Sequence, residues 1–249
     1  MPLLLFSVFV LIVLWAPLLR IFLKGLNPAD YIALFKDQEL ISAFMQSVIL
    51  GLTTALASAL VGLCIAFLLP RSKSLEKWLL QTGVFMPMIL PELILGISMM
   101  MWFIKLSIPF GWMTLFVGHI ALGIPYAILF FKAHVEVMDW KLVEACQDLG
   151  GKGWVVFRHA IWSQMSLPFV SCYLMCFSLS MDDFLISFFV KGTDEVTLPL
   201  YLFSMMRLHI HPKIYALSNI LFCVSLAFVL VNQIWLGRKL KTRSPVSSV

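Results

Sequence analysis

The chain is a succession of long apolar runs separated by short polar stretches. A helix needs about 20 predominantly apolar residues to cross the hydrocarbon core of a bilayer. Six segments qualify, at 3–19, 41–69, 78–103, 113–131, 167–190 and 214–236. Lipid offers a backbone amide no hydrogen-bond partner, so each run must close its bonds within itself as a helix. The alternating segments of a membrane barrel are absent. The predicted fold class is therefore all-α, a polytopic membrane bundle of six transmembrane helices. Composition excludes the soluble alternative: with 61% of 249 residues hydrophobic and 12% charged, polar groups are too few to cover a water-soluble globule. Nor does the net charge of +5 point to nucleic acid, because the basic residues lie in short clusters between apolar runs.

The placement of those bases predicts orientation. The second and fourth loops and the C-terminal tail carry 11 Lys and Arg residues, against 7 in the first, third and fifth loops. Positive residues are retained on the cytoplasmic side, so both termini are expected there. The first segment has no basic leader and ends in LLRIF rather than a small-residue cleavage site, so it reads as a retained helix. The five cysteines lie mostly within apolar runs, and Cys172 and Cys176, although one turn apart, have no histidine at ligand spacing. No metal site and no cofactor are expected.

Residues 132–166 form the one sizeable polar stretch, placed in the cytoplasm by the charge rule. Met138, Leu142, Ala145 and Leu149 recur at helical spacing among Glu136, Asp139, Lys141, Glu144 and Asp148, which predicts an amphipathic helix. Gly150 and Gly151 then allow a turn, and Trp154, Phe157 and Ile161 mark a second helical pattern. Four bases offset by four acids make a poor lipid anchor, so the apolar side of this hairpin calls for a protein partner. GGKG at 150–153 lacks the remainder of a phosphate-binding loop, having Cys146 and Gly153 where glycine and a hydroxyl residue are needed.

Three acids, Glu92, Asp182 and Asp183, fall inside apolar runs. A charge there is costly and is expected to face the bundle interior or a watery path. Counted from the cytoplasmic ends of their segments at 1.5 Å per residue, Glu92 and Asp182 lie about 21–22 Å deep, at one level. A carboxylate layer suits a cation bearing amines and repels an anion. Adjacent on a helix, Asp182 and Asp183 diverge by about 100°, so one is expected to line the path and the other to contact a neighbour. Pro87 and Pro91 are expected to interrupt the helix near Glu92. His119 is expected to form an interhelical hydrogen bond, and His209 and His211 to be ordinary surface residues.

The stretch EACQDLGGKGWVVFRHAIW, Glu144 to Trp162, resembles the EAA loop of ABC importer permeases, with Glu144, Ala145 and Gly150 on the pattern. Cys146 replaces its third alanine, Gly151 the usual alanine after the turn, and Ser163 a common proline. PELILGIS at 91–98, GHIALGIPY at 118–126, SLSMDDFLISFFVKG at 178–192 and LPLYLFSMMR at 198–207 are similar to spermidine/putrescine permeases of PotC type. That resemblance implies one transmembrane permease domain over residues 1–249 with a type I importer fold, in the inner membrane, and no catalytic residues. It implies polyamine import powered by a separate cytoplasmic ABC ATPase, alongside a second permease and a periplasmic polyamine-binding protein. Glu92, Asp182 and Asp183 would line the pathway, and Glu144, Ala145, Asp148, Gly150, Gly151 and Trp154 would couple to the ATPase. The rival reading is an ion-coupled secondary transporter or channel for a small cation, but no inverted repeat relates the two halves of the chain. A membrane enzyme would need clustered reactive groups, which are absent.

Overall fold

The computed structural model describes residues 11, 13, 15–17, 19–69, 82, 83, 85–208 and 212–223. Most of the predicted segment 3–19, the basic cluster Arg71, Lys73 and Lys77, His209, His211, and the end of the last segment with its basic tail lie outside them. Every regular element among the described residues is a helix. In chain order these are α1 (Pro28–Phe35), α2 (Gln38–Leu68), α3 (Glu92–Lys105), α4 (Trp112–Glu136), α5 (Trp140–Asp148), α6 (Trp154–Asp182), α7 (Leu185–Val190) and α8 (Leu198–Leu208). The described residues at 11–24 and at 82–89 are also helical, and a further helix covers 212–223. Three of them, α2, α4 and α6, are long and apolar enough to cross a membrane.

Two compact units can be distinguished. The described residues up to Ile41 and from Leu202 onward form the first. Within it Asn27 caps α1 by accepting from the Ala29 amide at 3.2 Å, and Lys213 pairs with Asp37 at 3.1 Å. The amide of Asn219 donates to the Phe22 carbonyl at 3.0 Å. The second unit, Ser42–Tyr201, carries the elements discussed below.

The side-chain distribution of α2 within the second unit is that of a helix bathed in lipid. Ile49, Leu52, Leu56 and Leu60 are exposed, whereas Ser47, Thr54, Ala55, Ser58 and Ala59 are buried. Water would reverse this arrangement. In a bilayer nothing drives Leu inward, and helices associate where small residues let backbones approach and hydroxyls bond across. α2 and α4 meet through such small residues. A Cβ at Gly62 would stand 2.5 Å from Ala127 Cβ, and one at Gly123 would stand 2.5 Å from Ser58 Oγ. The core beneath them continues through Leu63, Phe131, Val135, Met165 and Cys172.

Gly123→Val should overpack the contact between α2 and α4, costing about 1–3 kcal/mol. Thermal denaturation of the purified protein in detergent should show a clearly lowered midpoint. An unchanged midpoint would mean that the two helices do not meet at Gly123 and Ser58.

Candidate functional site

The apolar run 167–190 holds Pro168 near its start, which α6 accommodates, but no proline or glycine near 183, yet α6 ends at Asp182 and α7 begins at Leu185. Asp183 is extended, with φ −66° and ψ 121°. Such a turn leaves the first amides of the next helix without intrahelical partners. The Asp183 carboxylate supplies them: Oδ1 accepts from the Ile186 amide at 3.2 Å, and Oδ2 accepts from the Ser187 amide at 2.8 Å and the Ser187 hydroxyl at 2.9 Å.

His119 of α4 joins this group from the side. Its Nε2 is 2.9 Å from Ser187 Oγ and 3.4 Å from Asp183 Oδ2, and its Nδ1 is 2.6 Å from Ser180 Oγ on α6. Thr54 of α2 lies 3.3 Å from Ser180 Oγ and donates to its own helix at the Leu50 carbonyl, 2.7 Å away. A buried polar chain therefore ties α2, α4, α6 and α7 together, and His119 makes the interhelical bonds expected of it. α7 is further held by Thr114 of α4, which donates to the Val190 carbonyl at 2.6 Å.

The three candidate acids occupy different environments. Asp183 is buried in the chain just described. Asp182, one residue earlier, is exposed and has no ion-pair partner among the described residues. Glu92 is also exposed and opens α3 directly after Pro91, where a bend at Leu90 ends the preceding helical residues. One turn into α3, a Cβ at Gly96 would lie 3.3 Å from the Leu185 carbonyl, so the start of α3 neighbours the interruption after Asp182.

The polar hairpin is equally defined. Asp139 caps α5 by accepting from the Lys141 amide at 3.0 Å. Gln164 of α6 staples this cap to the bundle, accepting from the Asp139 amide at 2.9 Å and donating to the Asp139 carbonyl at 3.2 Å. At the other end Gly150 takes φ +82°, its amide donates to the Gln147 carbonyl at 2.8 Å, and the Gly151 amide donates to the Cys146 carbonyl at 3.0 Å. These are the two bonds of a Schellman turn, with Gly150 at the left-handed position. A Cβ at Gly151 would approach the Cys146 carbonyl oxygen to 2.6 Å, whereas Gly150 faces open space.

The hairpin has two faces. Met138, Val143, Val156 and Ala160 are buried against the bundle. Leu142, Glu144, Ala145, Asp148, Leu149 and Trp154 are exposed, Leu149 at 90% and Trp154 at 69%. The expected apolar stripe is thereby split: Met138, just ahead of α5, packs inward, while Leu142, Ala145 and Leu149 form the outer surface. Beyond the turn the chain passes through a π-helical turn at Phe157–Ile161. Trp154, Phe157, Trp162, Phe169 and Phe131 follow one another at ring-centroid separations of 5.3, 6.1, 5.4 and 6.2 Å. The last of them is fully buried.

Neither Ser180, Ser187 nor Thr54 stands out in the sequence as a site residue. The available signal is spacing, because Ser180 and Ser187 lie three residues before and four residues after Asp183, about one helical turn each way.

A membrane bundle with an interrupted helix, a buried polar chain across four helices and a polar hairpin is the form of a transport subunit. No family model matches the chain. It is similar to the spermidine/putrescine transport system permease protein PotC of Haemophilus influenzae, 29% identical over 211 residues, covering 85% of this chain and 82% of that protein. It is similar also to the putrescine transport system permease protein PotI of Escherichia coli K12, 28% identical over 231 residues, covering 84% and 81%. The PotC homolog of Mycoplasma pneumoniae is 31% identical over 195 residues, covering 75% and 66%. The chain belongs to this PotC/PotI family of transport system permease proteins, and its role is transport rather than catalysis.

Ser180→Ala would leave the buried Nδ1 of His119 without its partner, at a cost of about 1–3 kcal/mol. Thermal denaturation should register the loss. Stability equal to the parent would show that the ring nitrogen is satisfied elsewhere.

Proposed function

We propose that this chain is the permease subunit of an ATP-driven ABC importer that moves polyamines, spermidine or putrescine, across the inner membrane into the cytoplasm. Six membrane helices in the type I importer arrangement, both termini cytoplasmic, form one permease domain over residues 1–249, with its coupling loop at 132–166. The observation that carries the reading is the hairpin: a rigidly capped, stapled helix whose outer face leaves Leu142, Ala145, Leu149 and Trp154 uncovered. Its occupant is a cytoplasmic ABC ATPase, acting as a dimer, with Glu144, Ala145, Asp148, Gly150, Gly151 and Trp154 at or behind the contact. The names of the relatives supply the cargo, and the acids within apolar runs agree with it on charge.

The mechanism follows from rigidity. Closure of the ATPase pushes the hairpin, and because Gln164 and the packed residues Val143 and Val156 join it to the bundle, the push reaches α6 as a rigid displacement. A second permease completes the path around Glu92 and the interruption at Asp182 and Asp183, and a periplasmic binding protein delivers the cargo. ATP binding and hydrolysis shift the bundle between outward-open and inward-open states to the extent that they bind them unequally.

Purification of the tagged chain from mild detergent should bring an ATPase and a second permease with it. The reconstituted complex should accumulate labelled spermidine or putrescine only with ATP inside the compartment holding the ATPase. Accumulation by the chain alone on an ion gradient would contradict the reading. Gly151→Val should leave the complex assembled yet lower uptake by about tenfold, within the range for changes along a coupling element. Undiminished uptake would remove the turn from the coupling route.

A further inference from the structure

We infer that the two adjacent acids have separate roles: Asp183, held by His119 and Ser187, is a positioning residue that fixes the helix interruption, and Asp182 is the carboxylate thereby presented to the cationic cargo. The inference rests on the polyamine-import reading and assigns its specificity to one residue of the pair.

Asp183 is closed to a ligand by burial and by the bonds it already makes. Its side chain is 0% exposed. An ionised carboxylate offers about four acceptor positions. Here one oxygen takes the Ile186 amide, and the other takes the Ser187 amide and hydroxyl with His119 Nε2 alongside. An amine entering this group would have to displace two backbone bonds that nothing else in hydrocarbon would replace. Asp183 also sits where its charge serves α7, at the N-terminal end of a helix dipole.

Asp182 has the opposite setting. It is the last residue of α6, the end at which a helix carries partial negative charge and unpaired carbonyls. The dipole end, the carbonyls and the carboxylate all favour a cation at one place, and the side chain is exposed. An interrupted membrane helix presenting its C-terminal end is a recurring way to bind a cation in a transporter. What keeps Asp182 there is the extended conformation of Asp183, and what keeps Asp183 extended is its capping of Ile186 and Ser187 with His119 behind. Loss of the clamp would let α6 and α7 run together and turn position 182 to another direction.

The test uses the assembled complex in proteoliposomes. Asp182→Cys and Asp183→Cys are treated with a quaternary-ammonium methanethiosulfonate, and the modified position is located by peptide mass spectrometry. Cys at 182 should be modified, more slowly in saturating spermidine, and Cys at 183 should stay unmodified. Equal modification of both, or none at 182, would overturn the inference. Transport kinetics give a second reading that tolerates conservative side chains. Asp182→Asn should raise the KM for spermidine about tenfold, as expected for the loss of a charged contact, with Asp182→Glu recovering most of it. Asp183→Asn should raise KM and lower kcat together, because it misdirects position 182 and loosens the turn, and Asp183→Glu should recover neither, since a longer stem does not fit the clamp. A raised KM with unchanged kcat in Asp183→Asn would overturn the assignment. If the parent complex carries no polyamine, the functional reading fails, while the thiol pattern still decides which acid is presented.

Discussion

A backbone amide in hydrocarbon has to find its partner inside the protein, and the turn between α6 and α7 is where this requirement shapes most of the structure. A helix that stops in the membrane exposes polar groups at both broken ends. Here the second end is closed by a side chain of the chain itself, Asp183. That solution buries a carboxylate, which in turn requires company, and His119, Ser187, Ser180 and Thr54 provide it. Four helices are thus brought to one point by the need to satisfy two amides. The surrounding contacts follow the same economy of space, with Gly96 and Gly123 allowing backbones to approach where a side chain would not fit.

The hairpin solves a different problem. Its inner face packs on the bundle and its outer face is exposed, so its need is stiffness. Asp139 and Gln164 fix one end and the Schellman turn fixes the other. Between the exposed Trp154 and the buried Phe131 an unbroken series of aromatic contacts crosses the π-helical turn. Force applied to Leu142 or Leu149 has rigid material to travel through, which is what a subunit that draws its energy from another protein requires.

Much of this was legible in the sequence. The length and apolarity of 41–69 and 113–131 gave helices of nearly those bounds, because a run that must satisfy its own amides has one solution. The glycines at 150 and 151 announced the turn and Pro91 the start of α3, since both residue types act through local backbone geometry. The interruption at Asp183 was hidden. No proline or glycine marks it, and the residues that stabilise it come from α2 and α4, 129 and 64 positions away for Thr54 and His119. The split of the hairpin stripe was hidden for the same reason. Periodicity places Met138 and Leu142 on one side of a helix, but only the position of α6 decides that Met138 is covered and Leu142 is not.

The most direct measurement is amide hydrogen exchange across residues 183–190 with the protein in a lipid nanodisc. If Asp183 caps α7 inside the bundle, the Ile186 and Ser187 amides should exchange as slowly as those of the middle of α4, and far more slowly than the 191–197 loop. Exchange at Ile186 and Ser187 as fast as in that loop would contradict the account, for it would mean that water, not the carboxylate, is closing the broken helix.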